Sequence, residues 1–515
     1  MSAANTVRLP TQPELRVLKP SRTPVSKLLG KTEHLLIVVP EKPPVSIWRQ
    51  LPDGTKLRKI AGKSLAANTL IRSRLANAAG TGITLGKLPG TGSGKKAVSA
   101  FERLSFSGRL AADVCGDNPA SVAVLVAGFD AVTEAAILES LLLALAAHRF
   151  NMPVYKSEPT SRKRLNSVRI LKDETGIDVP RILAEANATN LVRWLTSQPP
   201  NFLDAKMYLA LLRSLAKDKG WKLSFLSEAK LKKAGAGAFL AVSQGNAMRD
   251  AGIVHIRYRP KKSAVRPKIA LVGKGIIFDT GGNNLKPFKG MLDMHQDMAG
   301  SAVAVATLAA LTDLEAPFAV DCWLAITENR VSANAYKPRD IVTASNGVSI
   351  EVIHTDAEGR MALADTLALA AREQPTAIVD FATLTGSCIA ALTERYSGAL
   401  TNRPTLNELL IDTGRRCGER IWPFPMDHDF DEELRSEVAD VMQCAPAGGG
   451  DHIQAARFLN RFIPDHTAWV HIDLSSASRK GGLAQVPGEV TGFGARYAIN
   501  LVLDSHEQLA AAAKG

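Results

Sequence analysis

From Asn201 onward, short strand-like apolar runs alternate with helical patterns, and this alternation leaves few architectures open. The runs are Lys268–Val272, Val320–Ile326, Ser349–Ile353, Ala377–Phe381 and Trp469–Leu474, with helical spacing in Gly300–Leu311 and Met361–Arg372. Elements of these lengths build a mixed sheet flanked by helices. In such sheets ligands gather at the carboxyl ends of strands, and the charged residues of this chain cluster there too. The first 175 residues repeat the alternation on a smaller scale, with strand-like runs at Leu35–Val39 and Val122–Val126 and a helical stretch over Ala131–His148. The expected class is therefore α/β. A small N-terminal domain spans residues 1–175, a linking helix spans 176–200 and stops at Pro199–Pro200, and a larger domain spans 201–515.

Composition narrows the class further. The chain has 515 residues, 46% of them hydrophobic and 22% charged, which suits a globular protein with a sizeable core. Its most apolar region, 120–147, is broken by Asp130, Glu134 and Glu139, so no membrane-spanning segment is expected. The five cysteines, Cys115, Cys322, Cys388, Cys417 and Cys444, form no CxxC pair, which points to a reducing compartment. Residues 1–100 carry 17 Lys and Arg against 4 Asp and Glu, which accounts for the whole net charge of +13. That basic stretch reads either as an ordinary solvated face or as a patch for nucleic acid or another anionic surface; it lacks interleaved aromatics and a recognisable reading helix. The first thirty residues, with five basic residues and Glu14 alone on the acidic side, also leave a mitochondrial address open beside a cytoplasmic one. Two superficial phosphate-loop patterns fail. Pro89 stands at the first glycine position of "PGTGSGKK", and Val25 does so ahead of "LLGKT". The first of these belongs to a Gly/Lys-rich stretch, "LGKLPGTGSGKKAVS", that reads as an exposed loop.

Three segments can converge on a chemistry. "LVGKGIIFDTGGNNLKP" supplies Lys274, Asp279 and Lys286; "MHQDMAG" supplies Asp297; and "HTDAEGR" supplies Asp356, Glu358 and Arg360. If "HTDAEGR" continues a strand, its i, i+2, i+4 spacing puts the last three side chains on one face, where the acids need a neutralising partner. Four carboxylates suffice to bridge two divalent cations, which would make a water acidic enough to act as hydroxide near neutral pH. A buried lysine beside two cations could lose its proton and become a ligand, while a second lysine and an arginine stay charged for an oxyanion. Each residue also has a duller reading, as a helix cap, a surface charge or a structural ion pair. "DHDFDEE" (427–433) is one such case and reads as the acidic first turn of a helix.

"VGKGIIFDTGG", "LKP", "MHQDM", "TDAEGR" and "DFATLTGS" together resemble, in order and spacing, the leucyl aminopeptidase (cytosol aminopeptidase) family. "AVSQGN", "AYKPRDIV" and "TGFGAR" are similar to further signatures of that family, and the likeness spans roughly residues 180–500. It implies release of N-terminal residues, leucine and similar ones preferred, from short peptides, by residues 201–515 as the catalytic domain of a homohexamer (a dimer of trimers). It also implies two divalent metals, zinc with manganese or magnesium at an exchangeable site. The tighter site would use Lys274, Asp279, Asp297 and Glu358; the other would use Asp279, Asp356 and Glu358. Arg360 would hold a bicarbonate ion acting as general base, and Lys286 would stabilise the gem-diolate. Asp297 would help hold the substrate's α-amine. The pocket for the first side chain maps to Met294, Thr383, Leu384, Gly386, Ser475 and Ser478. His354, His295, Ser475 and Ser478 depart from the family's usual residues, and the added hydroxyls would admit smaller or more polar side chains.

Overall fold

His34–Pro40 and Ser121–Val126 are runs of aliphatic and β-branched residues buried on both faces, the pattern of central strands in a parallel sheet. The computed structural model describes residues 7–513, apart from 12, 22, 50, 52, 64–68, 90–97, 159–161, 174–175, 261–267 and 448. The Gly/Lys-rich stretch read as a loop lies largely outside the described residues, and its leading residues 85–88 end a strand. Six strands form the first sheet: β1 (Arg16–Leu18), β2 (His34–Pro40), β3 (Leu70–Arg74), β4 (Gly82–Leu88), β5 (Ser121–Val126) and β6 (Ser167–Ile170). Their order is β1-β6-β5-β2-β4-β3, parallel except where β3 runs against β4. The helix Ala100–Gly116 starts at a capping box of Ser99 and Glu102, and Asp130 caps Ala131–Arg149. By length and composition Ala131–Arg149 could cross a membrane, contrary to the sequence expectation, but most of it is buried. Its Leu138, Leu141, Leu142 and Leu145 pack in one cluster with Val122 and Val124 of β5, so it is a core helix.

The second set of strands is β7 (Lys222–Ser227), β8 (Gly252–Tyr258), β9 (Ile269–Asp279), β10 (Val320–Asn329), β11 (Ile341–Thr343), β12 (Ser349–Glu351), β13 (Ala377–Ala382), β14 (Ser397–Thr401), β15 (Ile421–Pro423), β16 (Val441–Met442) and β17 (Ala468–Asp473). Eight of them make a mixed sheet in the order β15-β14-β17-β13-β9-β10-β8-β7, whose centre, β17-β13-β9-β10, is parallel. Ala270, Val272 and Ile276 of β9 pack in one cluster with the helix Glu358–Arg372. Strand alternation turns the intervening residues to the other face, where the almost wholly buried helix Ala299–Asp313 runs. The run at Ser349 departs from expectation: it stops at Glu351 and joins β11 and β16 in a separate three-stranded sheet.

The chain divides into two compact units. One is built mainly from residues 188–479 and 490–515, the other from residues 11–187 and 480–489. The division thus falls inside the helix Val179–Thr196, and ten residues read from sequence as part of the larger domain group with the six-stranded sheet. Ala484 of that segment packs against the cluster that holds Leu104 and Leu138.

Candidate active site

β9 is longer than its apolar run, because Lys274 continues it into "GIIFD" and ends it at Asp279. Lys274 is buried, and its Nζ lies 2.9 and 2.8 Å from the two oxygens of Asp297, 2.9 Å from Glu358 Oε1 and 3.0 Å from the Thr383 carbonyl. Asp279 Oδ1 accepts hydrogen bonds from Gly281 N and from Asn329 Nδ2, both at 2.8 Å. Gly281 has φ +85°, and a Cβ there would lie 2.4 Å from the Asn284 carbonyl oxygen, so the turn after β9 demands glycine. That turn returns Lys286 to the site, with Nζ 2.9 Å from Asp279 Oδ2 and 2.6 Å from Asp356 Oδ1.

Asp297 follows a 3-10 turn, Met294–Gln296, and accepts from Thr383 Oγ1 at 2.6 Å. Asp356, Glu358 and Arg360 do not share a strand face. Asp356 sits in a turn, while Glu358 and Arg360 occupy the first turn of the helix Glu358–Arg372, where residues two apart point to different sides. Glu358 accordingly faces Lys274, whereas Arg360 turns away to Asp451: its Nη2 lies 2.8 and 2.7 Å from the two carboxylate oxygens, and its Nη1 donates to the Gln443 carbonyl at 3.3 Å. The ring of His354 accepts the Asp356 backbone N–H at Nδ1 (3.2 Å), so this residue buttresses the turn that carries Asp356.

The carboxylates crowd each other. Burial, then Asp279, push Glu358 up to about 8 against the attraction of Lys274; burial likewise pushes Asp297 up to about 6. Burial pulls Lys274 and Lys286 down, but the neighbouring carboxylates outweigh it and both ammonium groups are held above their usual range. This is opposite to the neutral lysine that metal ligation requires, because in the polypeptide alone each ammonium serves as the cation between two carboxylates. Asp279, Asp356 and Glu358 each offer an oxygen, all within 4.8 Å of one another, and Glu358 Oε2 is buried with no hydrogen-bond partner among the described residues.

These residues open onto a cavity of about 340 Å³. Lys274, Asp279, Lys286, Asp297, Asp356 and Glu358 line it, together with Met294, Thr383, Leu384, Gly386, Ser475 and Ser478. Arg360 does not; of the site residues expected from sequence it is the one that stands apart. Sequence reasoning missed Asn329, which orients Asp279, and Asp473, which lines the cavity and is fixed by Thr385 Oγ1 at 2.7 Å. Each is a polar residue at the end of an apolar strand run, and that signal was open to reading.

The model of the cytosol aminopeptidase family catalytic domain matches residues 190–499, more than half of the chain. The chain belongs to the cytosol aminopeptidase family. A probable cytosol aminopeptidase of Syntrophotalea carbinolica is 37% identical over 373 residues, which cover 71% of this chain and 74% of that one. A solved tomato leucine aminopeptidase mutant superposes with a TM-score of 0.83 at 26% identity, covering 96% of this chain and 97% of its own. The bottromycin maturation enzyme BotP in complex with Mn gives 0.79 at 26% identity, covering 92% and 100%. Cytosol aminopeptidases are metal-dependent hydrolases of peptides, and the donor set found here suits such a role: converging carboxylates, one orphaned carboxylate oxygen and two ammonium groups in cation positions. Bicarbonate does not fit in the same way. Nη2 of Arg360 is engaged by both oxygens of Asp451, and neither residue lines the cavity.

Proposed function

We propose that this aminopeptidase releases N-terminal leucine and similar residues from short peptides with the help of two divalent metals, zinc with manganese or magnesium at one position. The observation that carries this reading is the convergence of Asp279, Asp356 and Glu358 on a cavity of peptide side-chain size. Lys274, Asp279, Asp297 and Glu358 would hold one ion, and Asp279, Asp356 and Glu358 the other. Such ions supply a water acidic enough to attack a carbonyl near neutral pH. The chain's own residues do the rest. The Asp297 carboxylate, on the cavity wall, helps hold the substrate's free α-amine, which restricts cleavage to the N-terminus. Lys286, at the same wall, stabilises the charge that develops on the scissile carbonyl oxygen. Met294, Leu384 and the Gly386 backbone receive the first side chain, and the Ser475 and Ser478 hydroxyls widen tolerance towards smaller or more polar ones. A homohexamer in a reducing compartment such as the cytoplasm completes the proposal; the five buried free cysteines support the compartment alone.

Purified protein should hydrolyse leucyl-amide substrates, lose activity to a chelator and regain it with Mn²⁺ or Zn²⁺. Metal-replete protein that leaves such substrates intact would refute the reading.

A further inference from the structure

Arg360 carries the inference. It is buried, and a buried guanidinium needs an anion. Resemblance to the family supplies a dissolved one, bicarbonate, but here the anion is part of the chain. Both Asp451 oxygens lie within 2.8 Å of Nη2, and the Gln443 carbonyl takes Nη1. A planar oxyanion is best held by two parallel donors; among the described residues Arg360 Nε is buried without a partner, but the Nη2 beside it is already engaged by Asp451, so that pair is not free for a dissolved anion.

The position of Asp451 is built rather than incidental. It is the first residue of the helix Asp451–Asn460, where the helix dipole favours a carboxylate. Gly450, with φ +77°, makes the turn into that helix. The neighbouring His452 fixes the helix start, with its N–H on Ser387 Oγ at 2.9 Å and its ring Nδ1 3.0 Å from the same oxygen. Gln443, which holds Nη1, ties this corner to the metal-ligating turn: its Nε2 donates to the Ala357 carbonyl at 2.9 Å, and its Oε1 accepts from Ile353 N and His354 N at 3.1 Å.

We propose that Asp451 occupies from within the chain the anion position at Arg360, so that this aminopeptidase works without bicarbonate. Asp451 is a positioning residue: it neutralises and aims Arg360 and shuts out a dissolved oxyanion. The inference rests on the aminopeptidase reading for its kinetic test only.

The experiment uses the full-length, metal-loaded protein in CO2-free buffer, with bicarbonate then added at constant free metal. Hydrolysis of leucyl-p-nitroanilide by the unaltered protein should change less than about twofold. In Asp451→Gly, activity should be low without bicarbonate and rise about tenfold with it, the scale of one hydrogen bond to a charged group. Melting temperature gives a second readout, independent of turnover: bicarbonate should raise it in Asp451→Gly and leave the unaltered protein in place. Activation or thermal stabilisation of the unaltered protein by bicarbonate would overturn the proposal, as would a folded Asp451→Gly indifferent to it. If Asp451→Gly does not fold, Asp451→Asn, which keeps the side-chain volume, takes its place, and the unaltered protein still decides. Absence of all peptidase activity would strike the proposed function and leave the melting comparison to judge this inference.

Discussion

Gly359 has no room for a side chain. A Cβ there would lie 2.5 Å from Lys274 Cε and 2.7 Å from its Nζ, and Lys274 cannot yield without leaving Asp297, Glu358 and the Thr383 carbonyl. Gly359→Ala should therefore cost about 1–3 kcal/mol of stability and lower both metal content and kcat/KM. Metal analysis beside a melting curve checks it, and a fully loaded, fully active variant would contradict it. At this scale the acids were legible in sequence, because each of Asp279, Asp297, Asp356 and Glu358 lies close to the end of a strand run or the start of a helix. The arginine's partner was not. Ninety-one residues separate Arg360 from Asp451, and no local pattern connects a helix's first turn to the start of another. The role of His354 was equally hidden, since it depends on the turn that brings the Asp356 N–H to its ring.

At the scale of elements, the acidic run 427–433 illustrates how charge and structure meet. It forms a short 3-10 helix, His428–Leu434, rather than the α-helical first turn its acids suggested. Arg457, on the helix Asp451–Asn460, reaches it with Nε at 2.7 Å and Nη2 at 2.6 Å from the two oxygens of Asp431. Burial would raise the Asp431 carboxyl, but Arg457 and Arg461 outweigh it and hold it below its usual value. A lowered folded pKa means that the pair stabilises the protein above the ordinary carboxylate range and loses that contribution as pH falls through it. Asp431→Asn should then be less stable than the unaltered protein at neutral pH by about 1 kcal/mol, after allowance for solvent screening. The gap should close towards about pH 3, below the usual Asp value of about 3.9. Chemical denaturation at the two pH values tests this, and a gap that is constant or widens in acid would refute it. The strands Leu35–Val39 and Ala377–Phe381 were found from sequence almost to the residue, because buried apolar runs bounded by polar residues are local signals. Ser349–Ile353 was a sound strand signal too, but a run of five residues does not say which sheet will take it.

For the whole molecule, the family match begins at residue 190, beyond the basic first hundred residues, so it says nothing about the charge they carry. Strand β3 carries two of those charges: Arg72 pairs with Asp113 of the helix Ala100–Gly116, and Arg74 ends the strand. The proposed assembly has a direct test. Light scattering on metal-loaded protein should give six times the chain mass of 55.1 kDa, and a monomer at working concentration would refute the hexamer.

What the sequence determined by itself was the chemistry's inventory and the alternation of elements. Apolar runs ending in acids and lysines name both the strands and the donors, because periodicity and residue type are properties of neighbours along the chain. What only the tertiary structure decided was which charges meet. Lys274 lies between Asp297 and Glu358, Lys286 between Asp279 and Asp356, and Arg360 on Asp451 instead of facing the cavity. Those pairings depend on helix phase and strand register across tens of residues. A two-residue spacing that reads as one face of a strand becomes two different directions once the chain turns into a helix.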